Sequence, residues 1–330
     1  VYYKNDNLLK LIKDNYILND FIIIDRNVFN LDNNCLKDIN NKYIYFIDAY
    51  EVNKTIETVI KIIDNLIKLK ITNQNKLLVI GGGITQDIGG TVAGLYKRGI
   101  NWLLIPTTLL SMSDSAIGSK TCMNREAKNM LGLFYAPNNI YISDYFFNSL
   151  EYKDIISGLG ESLKLSIIGG KNCVDIFMEY YKNKKYLDII KLTNSIKKVI
   201  IEYDEFDKNE RRVLNYGHTC GHALESASNY KIPHGIAVLY GMYIINKLFN
   251  DKKFENINDY IIKLIPNEFK NIKINYNTFE KKLLNDKKNR GTEICFIILN
   301  NFGESKFIYN EFQNIKYKLQ LIISNLFNLN

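Results

Sequence analysis

Histidine is nearly absent from this chain. It occurs three times in 330 residues, and all three fall in one segment, "NYGHTCGHALESASNYKIPHG", from Asn215 to Gly235. Cysteine is sparse too: Cys35, Cys122, Cys173, Cys220 and Cys295 are odd in number, far apart and form no C-x-x-C pair. That spacing excludes a disulfide framework and suits a reducing, cytoplasmic interior. No apolar run approaches the roughly 18 residues needed to cross a bilayer, and the first residues do not read as a signal peptide. The chain starts at Val1 rather than Met, as expected of a trimmed chain or of one domain of something longer. Dense basic runs and repeated aromatic-basic modules are missing as well. The net charge of +8 therefore reflects Lys scattered among abundant Asn, Ile and Tyr rather than a nucleic-acid surface. It leaves room for a few lysines converging on an anionic small molecule.

What is present is ordinary for a globular protein: 46% hydrophobic residues and enough length for two packed domains. The first half alternates β-rich apolar runs with a helical pattern near 55–70. The runs are "FIIID" (21–25), "YIYFID" (43–48), "KLLVIGGG" (76–83), "INWLLIPTT" (100–108) and "NNIYISD" (138–144). Strands alternating with helices predict a parallel sheet and an α/β, Rossmann-like domain over residues 1–150. Beyond 150 the apolar spacing becomes three and four, through 151–168, 185–204 and 210–228 and again after 235, with "EICFIIL" at 293–299 as the one strand. A mainly α-helical domain over residues 151–330 is expected, with the ligand site in a cleft between the two.

Four motifs carry chemistry. "LLVIGGGITQDIGG" puts Gly81, Gly82 and Gly83 between a buried strand and a helix start, where backbone N–H groups and the helix dipole can receive a phosphate. A tight structural turn would use the same glycines. Asp25 closes the strand in "IIIDRN", as a ribose-binding acid does and as a helix cap also does. "SGLGESLKLS" sets Glu161 and Lys164 on one helix face, either as an intrahelical ion pair or as a metal-binding carboxylate beside an ammonium. In "RRVLNYGHTCGHALE", His218 and His222 are four apart and point the same way, as zinc-binding pairs do, without the Glu that follows the first His in a metalloprotease helix. His234 follows at a loop-to-helix junction. Two histidines and one carboxylate with an open position would make a catalytic zinc site; which histidines share a metal stays open at this level.

Together these segments resemble the 3-dehydroquinate synthase family of sugar phosphate cyclases. The pattern is seen in "EVNK", "GGGITQD", "YKRGI", "IPTTLLSMSDSAIGSKTCMN", "KNMLGLFYAP", "GLGESLK", "RRVLNYGHTCGH" and "IPHG", from about Asp25 to "NDKKNRG". The resemblance implies that Glu51, Lys54, Gly82, Gly83, Asp87, Thr107 and Thr108 contact NAD, with Asp25 on the adenosine ribose. It implies that Glu161, His218 and His234 hold zinc, or another divalent metal such as cobalt. Asp114, Lys120, Lys164 and His222 are implied as catalytic groups. Lys128, Asn129, Lys197, Arg211 and Asn215 would bind substrate with Lys287 or Lys288, and Arg98 would reach the partner's site in a homodimer.

The implied activity is a carbon–oxygen lyase of the shikimate pathway, in aromatic amino acid biosynthesis. It turns 3-deoxy-D-arabino-heptulosonate 7-phosphate into 3-dehydroquinate and phosphate by transient oxidation with NAD, phosphate elimination and aldol closure. A substrate with a carboxylate and a phosphate needs several converging cations. Lys197, Arg211 and Asn215 favour the carboxylate-bearing substrate over those of 2-deoxy-scyllo-inosose or valiolone synthases. Those cyclases, and a metal-dependent polyol dehydrogenase of related fold, are the alternatives. Departures from the family pattern are Gln86 in place of a small residue, Ser119 and Cys122 in place of glycines, and a shortened "NREAK" loop.

Overall fold

The computed structural model describes residues 1–126, 128–249, 252–286 and 289–329. The chain divides into two compact units, Val1–Leu150 and Glu151–Asn330.

The first unit is built on strands β1 (Tyr2–Lys4), β2 (Phe21–Asp25), β3 (Ile44–Ile47), β4 (Leu77–Gly81), β5 (Trp102–Pro106) and β8 (Asn139–Ser143). They form one parallel sheet in the order β1-β8-β5-β4-β2-β3. Every residue of β2, β4 and β5 is buried, which is why those segments read as unbroken apolar runs rather than as an alternation. Helices α1 (Leu8–Asn15), α2 (Arg26–Phe29), α3 (Ile56–Lys68) and α4 (Gly83–Leu95) connect the strands. In α3, Val59, Ile62 and Leu66 recur at three- and four-residue spacing and are buried, and the Thr55 side chain caps the helix by accepting from Thr58 N. An antiparallel hairpin, β6 (Lys120–Met123) with β7 (Leu131–Phe134), completes the unit.

The expected strands are all present, and β1, β6 and β7 are additions. β1 is three residues long, too short for any periodicity. It is recruited to the sheet edge by pairing with β8, where the Tyr2 and Tyr141 rings stack at 5.0 Å.

The second unit consists mainly of helices α5 (Tyr152–Gly169), α6 (Lys171–Lys182), α7 (Tyr186–Tyr203), α8 (His218–Ala227), α9 (His234–Phe249), α10 (Glu255–Leu264), α11 (Tyr276–Leu284) and α12 (Phe312–Leu326). Two small sheets join them: the antiparallel pair β10 (Glu293–Asn301) and β11 (Glu304–Glu311), and the short parallel pair β9 (Lys273–Ile274) and β12 (Asn328–Leu329). β11, with the sequence ESKFIYNE, has no polar–apolar alternation and no buried residue, so its pattern did not stand out and only pairing with β10 reveals it. No described helix is long and apolar enough to cross a membrane.

The run read as one helix over 210–228 is two elements. A 3-10 turn, Glu210–Asn215, gives way at Gly217, whose φ of +82° belongs to the left-handed region, and α8 begins at His218. Apolar spacing carries straight through that break, with Val213, Leu214 and Tyr216 before it and Cys220, Ala223 and Leu224 after it.

α9 is pressed against both α5 and α8 at backbone contact. A Cβ on Gly241 would fall 1.9 Å from the Gly217 carbonyl oxygen, and one on Gly235 would fall 1.7 Å from that of Ser157. Because the neighbours are backbone, neither clash can be relieved by a rotamer change. Gly241→Ala is expected to lower stability by about 1–3 kcal/mol or more through overpacking, read as a lower midpoint in urea unfolding; an unchanged midpoint would contradict this packing.

Candidate metal and substrate site

The close approach of α5, α8 and α9 puts a carboxylate and three imidazoles in one place. Glu161 on α5 is fully buried, and neither of its oxygens accepts a hydrogen bond of good geometry. Its Oε1 lies 3.4 Å from His218 Nε2 and 3.3 Å from His234 Nε2, while the Lys164 ammonium rests against Oε2. A buried carboxylate facing two ring nitrogens is costly unless a cation or proton joins them. Ligand atoms about 2.0–2.1 Å from a tetrahedral zinc stand about 3.3–3.4 Å from one another. The observed separations have that value, so Glu161, His218 and His234 fit a divalent cation. His222, one helical turn after His218 and exposed, belongs to the same cluster: the three histidines offer ligand atoms all within 4.8 Å of one another.

The outer nitrogens of the two inner histidines are engaged. His218 Nδ1 lies 3.3 Å from the Tyr216 carbonyl oxygen, and His234 Nδ1 lies 3.1 Å from Glu225 Oε2. Such partners orient an imidazole so that Nε2 faces the ion and raise its basicity. Glu225 is buried, on α8, two turns after His218, and was not singled out in the sequence; the seven-residue spacing from His218 was the signal that could have found it.

Electrostatics divides the two rings. Burial pushes His218 well below its ordinary value, helped by Lys164, His222 and His234, so its ring is neutral and free to bind a metal. Burial opposes charge on His234 also, but Glu225 and Glu161 outweigh it and raise it to about 10. For Glu161, burial alone would raise the carboxyl; Lys164 and His234 overcome this and hold it at about 2. The His234 ring thus lies between two carboxylates, Nε2 toward Glu161 and Nδ1 toward Glu225, and a cation at Nε2 would take the place of a proton there and leave Nδ1–H on Glu225.

The same unit buries three expected cations: Lys164 at 2% exposure, Lys197 on α7 at 5% and Arg211 at 3%. Arg211 and Asn215 belong to the 3-10 turn Glu210–Asn215, which packs against α5 and α7. The turn is organised by Asp204, another residue the sequence reading passed over. Its carboxylate accepts from the backbone N–H groups of Lys208, Asn209 and Arg211, which lower its pKa. The Arg211 guanidinium donates to the Glu205 carbonyl, and Asn215 Nδ2 donates to Arg212 O at 3.1 Å.

In the first unit the carboxyl edge of the sheet gathers the other group of expected residues. β4 ends at Gly81, Gly82 caps α4, and Gly83 starts it, so the helix presents its free N–H groups at the strand end. Thr107 and Thr108 follow β5 alongside. Thr107 N donates to Gly81 O at 3.1 Å, and a Cβ on Gly82 would meet Thr108 Cγ2 at 2.9 Å. Asp25 ends β2 on that edge and caps α2 through Asn27 N at 2.9 Å; burial raises its pKa, against the pull of that N–H. Lys54, buried, donates to Asp87 Oδ2 and to Asn129 Oδ1, each at 2.7 Å. Asn124 binds Glu51 Oε1 at 2.8 Å and holds Asn129 N, tying the group together; it too was missed.

Asp114 lies in the turn Ser111–Ser115, and Lys120 opens β6 with its ammonium 5.8 Å from the Phe134 ring centre. Lys128 is exposed in the loop after β6. Arg98 is exposed beyond the far end of α4, about 20 Å from Gly83 by helical rise, and so lies apart from the glycine turn at the start of that helix. Lys287 and Lys288 lie outside the described residues.

Comparison with known proteins is consistent along the chain. The family model described as 3-dehydroquinate synthase N-terminal matches residues 44–157, and the one described as 3-dehydroquinate synthase C-terminal matches residues 158–289. A 3-dehydroquinate synthase of Pelagibacter ubique is 36% identical, covering 92% of this chain and 89% of that protein. One of Clostridium tetani is 34% identical, over 89% and 83%. Among solved structures, 2-deoxy-scyllo-inosose synthase complexed with carbaglucose-6-phosphate, NAD+ and Co2+ superposes with a TM-score of 0.82 at 22% identity, over 97% of this chain and 96% of that one. The 2-epi-5-epi-valiolone synthase of Streptomyces hygroscopicus, with NAD+ and Zn2+ bound, gives 0.83 at 22%, over 98% and 97%. These last two show a shared fold.

Replacing Glu225 by Gln keeps its size and removes the charge that holds His234 Nδ1–H. Zinc affinity, measured by competition with a chelator, is expected to fall about 10- to 100-fold with the circular dichroism spectrum unchanged; undiminished affinity would remove Glu225 from the site.

Proposed function

The chain belongs to the 3-dehydroquinate synthase family, and from that premise we propose how its own residues carry the conversion of 3-deoxy-D-arabino-heptulosonate 7-phosphate to 3-dehydroquinate and phosphate. The observation that carries the reading is the ligand triangle of Glu161, His218 and His234 in a unit that also buries Lys164, Lys197 and Arg211. A ligand carrying two anionic groups needs several cations converging on it, and this unit holds three. The substrate, with its carboxylate and phosphate, is such an anion.

Bound at the carboxyl edge of the first unit's sheet, NAD supplies a reversible hydride acceptor, while a divalent cation, zinc or cobalt, supplies Lewis acidity. Glu161, His218 and His234 hold the cation. Gly82 and Gly83 offer backbone N–H groups to the dinucleotide phosphates, with Thr107 and Thr108 beside them, and Asp25 accepts from the ribose hydroxyls. Glu51, Lys54 and Asp87 complete that pocket.

Lys197, Arg211 and Asn215 grip the substrate carboxylate; the Arg211 fork is oriented by the Asp204 loop, so its planar donors are set before substrate arrives. Asp114, Lys120, Lys128, Asn129 and Lys164 contact the rest of the sugar phosphate, and Lys287 or Lys288 joins them. His222, exposed and without a place in the ligand triangle, exchanges a proton at a ring nitrogen with a substrate hydroxyl. Arg98 serves the partner's site in a homodimer, and the enzyme is a phosphate-eliminating lyase working in the cytoplasm.

Phosphate release from the heptulosonate phosphate should require NAD and stop on chelation, returning when zinc or cobalt is restored. No turnover under those conditions would overturn the proposal. Release from sedoheptulose 7-phosphate or glucose 6-phosphate instead would assign a different cyclase, and net NADH from a simple polyol would assign a dehydrogenase. Arg211→Ala should lose about a hundredfold or more in kcat/KM, and retained activity would remove the carboxylate assignment. His222→Ala should keep its zinc and lose kcat, whereas His218→Ala should lose both.

A further inference from the structure

Gln86 stands where the family pattern has a small residue, and the structure shows it employed at both ends of its amide. It is 3% exposed, in the first turns of α4. Its Nε2 donates to the Ser115 carbonyl oxygen at 2.8 Å, and its Oε1 accepts from Ser115 Oγ at 2.9 Å. The next residue, Asp87, holds Lys54.

Ser115 closes the segment Ser111–Ser115, which is wound as a π turn with Ala116 N donating to Ser111 O at 2.9 Å. Such turns are uncommon and less favourable than the α register, and they persist where something outside the helix holds them. The Ser115 carbonyl is among the terminal ones that the helix itself leaves unfilled. Gln86, reaching across from α4, fills it. Relaxing a π turn to the α register rotates the side chains that follow by about 100° per residue absorbed. Asp114 lies inside the turn, so its direction too depends on the register in which the turn is wound.

We propose that Gln86 is a positioning residue: its amide latches the π turn through Ser115 and so fixes Asp114 for the substrate. The catalytic part of this inference rests on the reading of Asp114 in the proposed function. The latch itself does not.

The test uses Gln86→Met, of similar length without the amide, Gln86→Glu, which keeps an acceptor but cannot donate to the Ser115 carbonyl, and Ser115→Ala, which loses only the hydroxyl contact. Hydrogen exchange at the Ala116 amide should quicken about tenfold or more in both Gln86 variants and less in Ser115→Ala. kcat for phosphate release should drop by a similar factor in the Gln86 variants, with NAD affinity unchanged. Unchanged exchange at Ala116 overturns the latch, whatever happens to kcat. Faster exchange with unchanged kcat overturns its role in placing Asp114. A wild-type protein that releases no phosphate would overturn the functional reading, and the latch would then stand or fall on the exchange rates alone.

Discussion

The second unit depends on backbone meeting backbone where α9 crosses α5 and α8. Gly235 against Ser157 and Gly241 against Gly217 leave no room for a side chain, so the helices approach more closely than ordinary packing allows. The proposed ligand residues sit next to these contacts: His234 precedes Gly235, His218 follows Gly217, and Glu161 follows Gly160, which itself faces the Gly235 carbonyl. Rigid backbone contact gives side chains of medium length a fixed meeting point. A metal site needs that precision, because an error of a few tenths of an ångström in a ligand position is an error in coordination.

Close approach would be useless without a balance of charge. Glu161 is fully buried, and its ionised form survives because Lys164 and His234 are stronger than the cost of burial. The ordinary reading of Glu-x-x-Lys, an intrahelical ion pair, holds here in a setting that changes its meaning. The pair lies inside the protein and adjoins two imidazoles, so the ammonium keeps a carboxylate ready to ligate. Glu225 and the Tyr216 carbonyl then point the rings inward. The cluster is thus held from behind by groups that touch no ligand.

In the first unit α4 plays the corresponding part. Its start carries Gly82 and Gly83, Gln86 for the Asp114 turn and Asp87 for Lys54, within a few consecutive residues. One helix start therefore holds two segments that the chain visits at widely separated positions.

The sequence alone determined the α/β-then-helical order, the central strands and the presence of a metal-binding chemistry, because continuous apolar runs, three- and four-residue spacing and a cluster of rare histidines are local signals. Local signals also misled. The apolar period ran through Gly217 without showing the break, and β11 and β1 became strands only through their partners. Tertiary structure alone decided that Glu225 supports His234, that Asp204 shapes the loop of Arg211, that Asn124 links Glu51 to Asn129 and that Gln86 reaches Ser115. Two of these, Asn124 with Glu51 and Gln86 with Ser115, join residues far apart in the chain, and the nearer ones are set by how the backbone turns rather than by spacing. Hydrogen bonds act over about 3 Å of space, and a linear pattern holds no record of which distant side chains the fold will bring that close.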